Sequence, residues 1–140
     1  MKTYIFSSII LMLTLFSNAD LQAQDMDRSK NNYVVLTTKV PQLQPIILTA
    51  QALKAEEGDA FGDFQVIICG KDIGQVTDPE KINEFILKAE KAGVQIIACG
   101  FSLNKFKVDK TKVPASMDIV ENGILYNFQL QKKGYKSLSL

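Results

Sequence analysis

Three continuous apolar runs, Tyr33–Thr38, Phe64–Cys69 and Val94–Cys99, alternate along the chain with segments whose apolar positions recur at helical spacing. Runs of about six residues rich in Val and Ile predict strands buried on both faces of a parallel sheet. Between the first two, Ile46, Ile47, Ala50 and Leu53 share one face of a helix over 45–57, and Gly58 can close it. Asp78-Pro79 marks a second helix start, because the carboxylate can accept orphan backbone N–H groups and proline suits the first helical position. Ile82, Phe85, Ile86 and Ala89 then line one face, Lys81, Glu84, Lys88 and Lys91 fall elsewhere, and Gly93 ends the helix.

Beyond Cys99 the alternation continues with a short helix over Phe101–Phe106, a weaker strand over Met117–Val120 and a helix over Gly123–Lys133 stopped by Gly134. Tyr135–Leu140 reads as a short final strand at a sheet edge. Strands alternating with helices imply right-handed crossovers. The expected fold is therefore α/β, a three-layer α/β/α sandwich around a mostly parallel five-stranded sheet.

The first residues follow another pattern. Lys2 precedes an apolar run from Tyr4 to Phe16, and Leu21-Gln22-Ala23 ends in a small residue of the kind signal peptidase favours. Residues 1–23 read as a signal peptide cleaved near Ala23, which places the mature protein in the periplasm or outside the cell. The run is shorter than the roughly 20 residues a membrane-spanning helix needs, so no stable membrane anchor is expected. Residues 24–32 are polar and read as a flexible leader, with the folded domain over 33–140.

Composition narrows the chemistry. With 140 residues, 46% of them hydrophobic and 22% charged, the chain has the proportions of one globular domain. Sixteen basic residues face fifteen acidic ones, and removing residues 1–23 takes away one of each, Lys2 and Asp20. No basic field exists to hold a phosphate backbone, and nucleic acid is not an expected partner. The absence of histidine excludes Ser-His and Cys-His nucleophile pairs and any histidine-bearing zinc site, and two cysteines make a poor metal cage. Gly70-Lys71-Asp72-Ile73-Gly74 lacks the order of a phosphate-binding loop and reads as a turn. Thr37-Thr38-Lys39 lacks the glycines that let a backbone wrap a flavin phosphate. Neither a metal nor a cofactor is expected.

The chemistry that remains is that of Cys69 and Cys99, each at the carboxyl end of a predicted strand, the edge where open parallel sheets bind ligands. Cys99 is followed by Gly100-Phe101-Ser102-Leu103, whose N–H groups in a helical turn can stabilise a thiolate. Lys105 and Lys107 either add positive potential or stay solvated. Cys69 reads first as a buried residue filling space, and second as a further thiol. If the second and third strands are neighbours, about 4.8 Å apart, a Cys69–Cys99 disulfide falls within the required Cα window of about 4.4–6.8 Å. Side-chain direction decides that question, and an oxidising compartment bears on it.

The segment Ala92-Gly93-Val94-Gln95-Ile96-Ile97-Ala98-Cys99-Gly100-Phe101-Ser102-Leu103, with Val108-Asp109 following, resembles the active-site segment of the DsrE/DsrF-like sulfur-transfer family. Val120-Glu121-Asn122-Gly123 before a helix and Gly134-Tyr135 before the last strand extend the likeness from about Tyr33 to the C-terminus. The resemblance implies that Cys99 carries sulfur as a persulfide, supported by Gly100, Phe101 and Ser102. It also implies a homo-oligomer, trimer or hexamer, and sulfur donor and acceptor proteins as partners. Export departs from the family's relay members, whose acceptors are cytoplasmic. The alternative expectation is a non-catalytic oligomeric module that binds a small ligand or partner in the strand-end crevice, with both cysteines structural.

Overall fold

The computed structural model describes residues 30–140. Residues 1–23, read from the sequence as a signal peptide, and residues 24–29 of the expected leader lie outside them. Five strands form one sheet: β1 (Asn31–Thr37), β2 (Phe61–Ile68), β3 (Val94–Cys99), β4 (Asp118–Val120) and β5 (Lys136–Ser139). Their order is β4-β3-β2-β1-β5 and every neighbouring pair runs parallel. The helices are α1 (Leu43–Glu57), α2 (Pro79–Ala92), α3 (Gly100–Lys105) and α4 (Gly123–Lys132), with 3₁₀ turns between them. The sandwich expected from the sequence is the fold observed, and its sheet is parallel throughout.

Each helix follows from local chemistry. Asp78 caps α2, its carboxylate accepting from the Glu80 N–H at 3.1 Å, with Pro79 at the first position and Gly93 beyond the end in the left-handed region (φ 74°). Asn122 caps α4, its Oδ1 accepting from Ile124 N–H (3.0 Å) and Leu125 N–H (3.2 Å). These bonds satisfy two donors that the first helical turn otherwise leaves unpaired.

The two faces of the sheet are covered unequally. On one, Val35, Phe64, Val66, Ile68, Ile96 and Ala98 meet apolar residues of α1 and α2, among them Leu43, Ile46, Ile47 and Ile82, in the larger core. The opposite face carries Val34, Ile67, Cys69, Ile97 and Cys99, covered by α4 through Leu130 and Tyr126. Strand alternation sets this division, since successive side chains point to opposite faces. Every residue from Phe64 to Cys69 is buried, as a strand covered on both sides requires.

A polar network fastens α4 to the sheet. Tyr126 donates to Gln65 Oε1 (3.0 Å), Gln65 donates to Asp63 Oδ2 (2.5 Å), and Tyr135 donates to the same carboxylate oxygen (2.6 Å). Ser137 in β5 donates to Asn127 of α4 at 2.9 Å. Burial, with the hydrogen bond to Asp63, pushes the Tyr135 hydroxyl up to about 12, so it remains a donor at any ordinary pH.

The domain begins earlier than the sequence pattern indicated. Asn31 and Asn32 belong to β1, where Asn31 pairs with Phe61 and Asn32 Oδ1 accepts the Asp63 N–H at 2.8 Å. Replacing Asn122 with alanine leaves two N–H groups at the start of α4 without their acceptor. The expected loss is about 1 kcal/mol, measured as an earlier midpoint in chemical denaturation.

Candidate functional site

Cys99 ends β3 and Cys69 directly follows β2, and the register pairing Ile67 with Ile97 and Ile68 with Ala98 sets the two cysteines opposite each other one step on. Both side chains lie on the face covered by α4. Neither is oxidised; the thiols are free and buried, with 7% of Cys69 and 3% of Cys99 exposed. Both contribute to the wall of a pocket of about 300 Å³ at the carboxyl edge of the sheet. Leu36, Thr38, Phe101, Phe106 and Ile124 supply most of its remaining lining, and Lys105 and Asn122 add polar groups.

One backbone hydrogen bond reaches the Cys99 sulfur, and Ser102 and Cys69 act on it as well. The Gly123 N–H, in the first turn of α4, reaches Sγ at 3.3 Å. The Ser102 hydroxyl and backbone N–H and the Cys69 thiol favour the charged form of the same sulfur. The Ser102 hydroxyl is itself held in place, because its oxygen accepts the Gly70 N–H at 2.9 Å. A single serine thereby links the ends of β2 and β3 through the sulfur's own environment.

The balance of these effects decides the protonation state. Burial pushes the Cys99 thiol up, but the Ser102 hydroxyl, the Gly123 and Ser102 N–H groups and the Cys69 thiol together outweigh it and hold the group below the usual thiol range. Cys69 goes the other way. Burial, the charge on Cys99 and the hydrogen bond it donates to Cys99 push it up to about 12. Cys69 is thus held as a thiol at neutral pH beside a sulfur disposed to ionise.

Glycine at 123 is what admits this geometry. A Cβ there would sit 2.6 Å from Cys69 Sγ, 2.8 Å from Ile67 Cγ2 and 3.2 Å from Cys99 Cβ. The first turn of α4 therefore comes down onto the two sulfurs with backbone alone between them. Gly100 permits a second close approach, since a Cβ there would lie 2.9 Å from the Val120 carbonyl oxygen.

Of the residues singled out in the sequence, Cys99 and Ser102 meet at the sulfur and Cys69 joins them. Phe101 gives its N–H to the Glu121 carbonyl at 2.8 Å and turns its ring outward, 60% exposed, to line the pocket. Gly100 serves by its smallness. Lys105 lines the pocket with its ammonium 5.8 Å from the centre of the Phe106 ring. Gly123 and Asn122 were not selected as site residues from sequence, although an Asn-Gly at a helix start is a capping signal. Among the described residues no cluster of three or more His, Cys, Asp or Glu can hold a metal, and no helix is long and apolar enough to cross a membrane.

Two substitutions test the cradle. Ser102→Ala removes a charge-assisted hydrogen bond, and alkylation of Cys99 at neutral pH is expected to slow by roughly tenfold, with its pH midpoint moving upward. Gly123→Ala forces α4 away from the sulfurs, at a cost of about 1–3 kcal/mol in stability, and shifts the same midpoint upward. Iodoacetamide labelling followed by peptide mass measurement reads both, with Cys69 staying unlabelled throughout the neutral range.

No family model matches the chain, and no curated protein matches it. Solved structures that share its fold include two proteins of unknown function. The protein of unknown function MTH1491 from Methanobacterium thermoautotrophicum superimposes with a TM-score of 0.65 at 15% identity, covering 79% of this chain and 100% of its own. The conserved protein of unknown function BT1422 from Bacteroides thetaiotaomicron gives 0.61 at 19% identity, covering 79% and 95%. At these identities the likeness establishes an α/β fold with a parallel sheet, common to all three chains.

Proposed function

We propose that this protein is a sulfur carrier of the DsrE-like type, exported from the cytoplasm, in which Cys99 accepts and delivers sulfane sulfur. The observation that carries this reading is Cys99 at the wall of a pocket with the Gly123 N–H on its sulfur and Cys69 directly across from it. Such a cradle favours the thiolate, the form that attacks sulfur and the form that leaves again.

The chemistry balances without a cofactor. The Cys99 thiolate attacks the outer sulfur of a donor persulfide R–S–SH; the Cys99–sulfur bond forms, the donor S–S bond breaks, and R–S⁻ departs. An acceptor thiolate then attacks that outer sulfur, and Cys99 leaves as the same stabilised anion. The pocket of about 300 Å³ accommodates the added sulfur atom and the approaching group.

The surface supports the oligomeric part of the reading. On α4 the residues turned to the sheet are Gly123, Tyr126, Asn127 and Leu130, whereas Ile124, Leu125 and Phe128 point outward, each more than half exposed. An apolar outward stripe on a sheet-covering helix suits burial against another copy, in a trimer or hexamer. A second reading, a small-ligand module with structural cysteines, is favoured by the apolar lining that Leu36, Phe101, Phe106 and Ile124 give the pocket.

Sulfur loading separates the two. Reduced Cys69→Ala protein incubated with thiosulfate or polysulfide and freed of donor is expected to yield about one equivalent of thiocyanate with cyanide, as is wild type treated with cyanide at once after loading, whereas Cys99→Ser yields none. Reduced protein that takes up no sulfur while Cys99 still alkylates would overturn the carrier reading.

A further inference from the structure

We propose that Cys69 is a resolving thiol: it attacks Cys99 Sγ once that sulfur carries a sulfane atom, forms a Cys69–Cys99 disulfide, and releases sulfide. This rests on the carrier reading and deepens it, adding a reductive exit for the sulfur beside transfer to an acceptor.

The placement of the two side chains carries the argument. Adjacent parallel strands in continuous register bring Cys69 and Cys99 side by side on one sheet face. A lateral separation of about 4.8 Å lies inside the Cα window that a disulfide requires. A Cβ at Gly123 would touch Cys69 Sγ at 2.6 Å and Cys99 Cβ at 3.2 Å together, which places the two side chains beside one another under the same turn. Gly123 closes the space above both, since even one methyl there would run into Cys69 Sγ. A sulfane atom added to Cys99 therefore extends toward the pocket, past Phe101 and Ile124, while Sγ itself continues to face Cys69. Attack from Cys69 falls on the inner sulfur, which resolves the persulfide; attack on the outer atom would only relocate it.

Atoms and electrons balance. Cys99–S–SH and Cys69–SH give the Cys69–Cys99 disulfide and H₂S. The bond between the two cysteine sulfurs forms and the bond from Cys99 Sγ to the outer sulfur breaks. The outer sulfur takes the electron pair and the Cys69 proton and leaves through the pocket. The sulfane atom is the oxidant and is reduced to sulfide, while the two thiols are oxidised. A dithiol reductant then attacks the disulfide and restores both thiols. Cys69 is strongly protonated while Cys99 bears the charge; moving that charge out to the outer sulfur weakens the repulsion that helps hold its proton.

The test uses the full chain. Reduced wild-type protein and Cys69→Ala are loaded with polysulfide, freed of donor, and followed by intact mass and sulfide release without added reductant. Wild type is expected to evolve about one equivalent of sulfide, at a rate independent of protein concentration, and to end two hydrogens lighter than the reduced chain, with the disulfide mapped to Cys69 and Cys99. Cys69→Ala is expected to retain the extra sulfur and to release it only on adding dithiothreitol. Cys69→Ser serves as a second variant, and sulfur uptake at Cys99 itself reports that the site is folded. Equal persistence of the persulfide in wild type and both variants overturns the resolving role and leaves the carrier reading intact. No uptake by wild type removes both.

Discussion

The site depends on one close approach, the first turn of α4 resting with only the Gly123 backbone on the sulfurs of Cys69 and Cys99. That contact brings a backbone N–H to a buried sulfur and at the same time closes the smaller of the two cores. Burial alone raises a thiol's pKa, so the same contact that buries Cys99 also supplies part of the compensation. Packing and the charge balance at Cys99 are thus properties of one interface, and the Asn122 cap at the start of α4 and the Asn127–Ser137 bond at its middle serve both.

Two cysteines in nearly the same place acquire opposite character. Cys99 receives the Gly123 N–H and is held below the usual thiol range with the help of Ser102, whereas burial and the neighbouring Cys99 push Cys69 up. Polarity between them follows from which strand end is met by the turns of α3 and α4. Under the proposed chemistry this asymmetry assigns roles before any substrate arrives: one sulfur attacks and the other waits until its neighbour is loaded.

Much of the fold was legible because boundaries were written locally. Val94–Cys99 was bounded by glycines on both sides, and α2 carried its own cap and stop in Asp78-Pro79 and Gly93. The starts of β1 and β2 were not, because Asn31, Asn32, Phe61, Gly62 and Asp63 are held extended by pairing with one another, a partnership composition does not reveal. In α4 the periodicity points the wrong way, since Ile124, Leu125 and Phe128 face outward and Gly123 and Asn127 face the sheet. At the site, Cys99 and Ser102 could be read together because they are three residues apart. The donor from Gly123 lies 24 residues downstream, and the pairing of Cys69 with Cys99 requires the strand order. What the sequence hides is in each case a relation between distant segments.

The unequal covering of the sheet gives α4 a further consequence. It is the helix whose Leu130 and Tyr126 close the face holding both sulfurs, and it is also the source of the Gly123 N–H. Any fluctuation wide enough to admit a bulky reagent therefore strips the sulfur of one of the dipoles that sharpen it. Under the proposed chemistry, reagents small enough to enter by the existing opening would meet the sulfur with its Gly123 N–H in place, and those that require α4 to move would not.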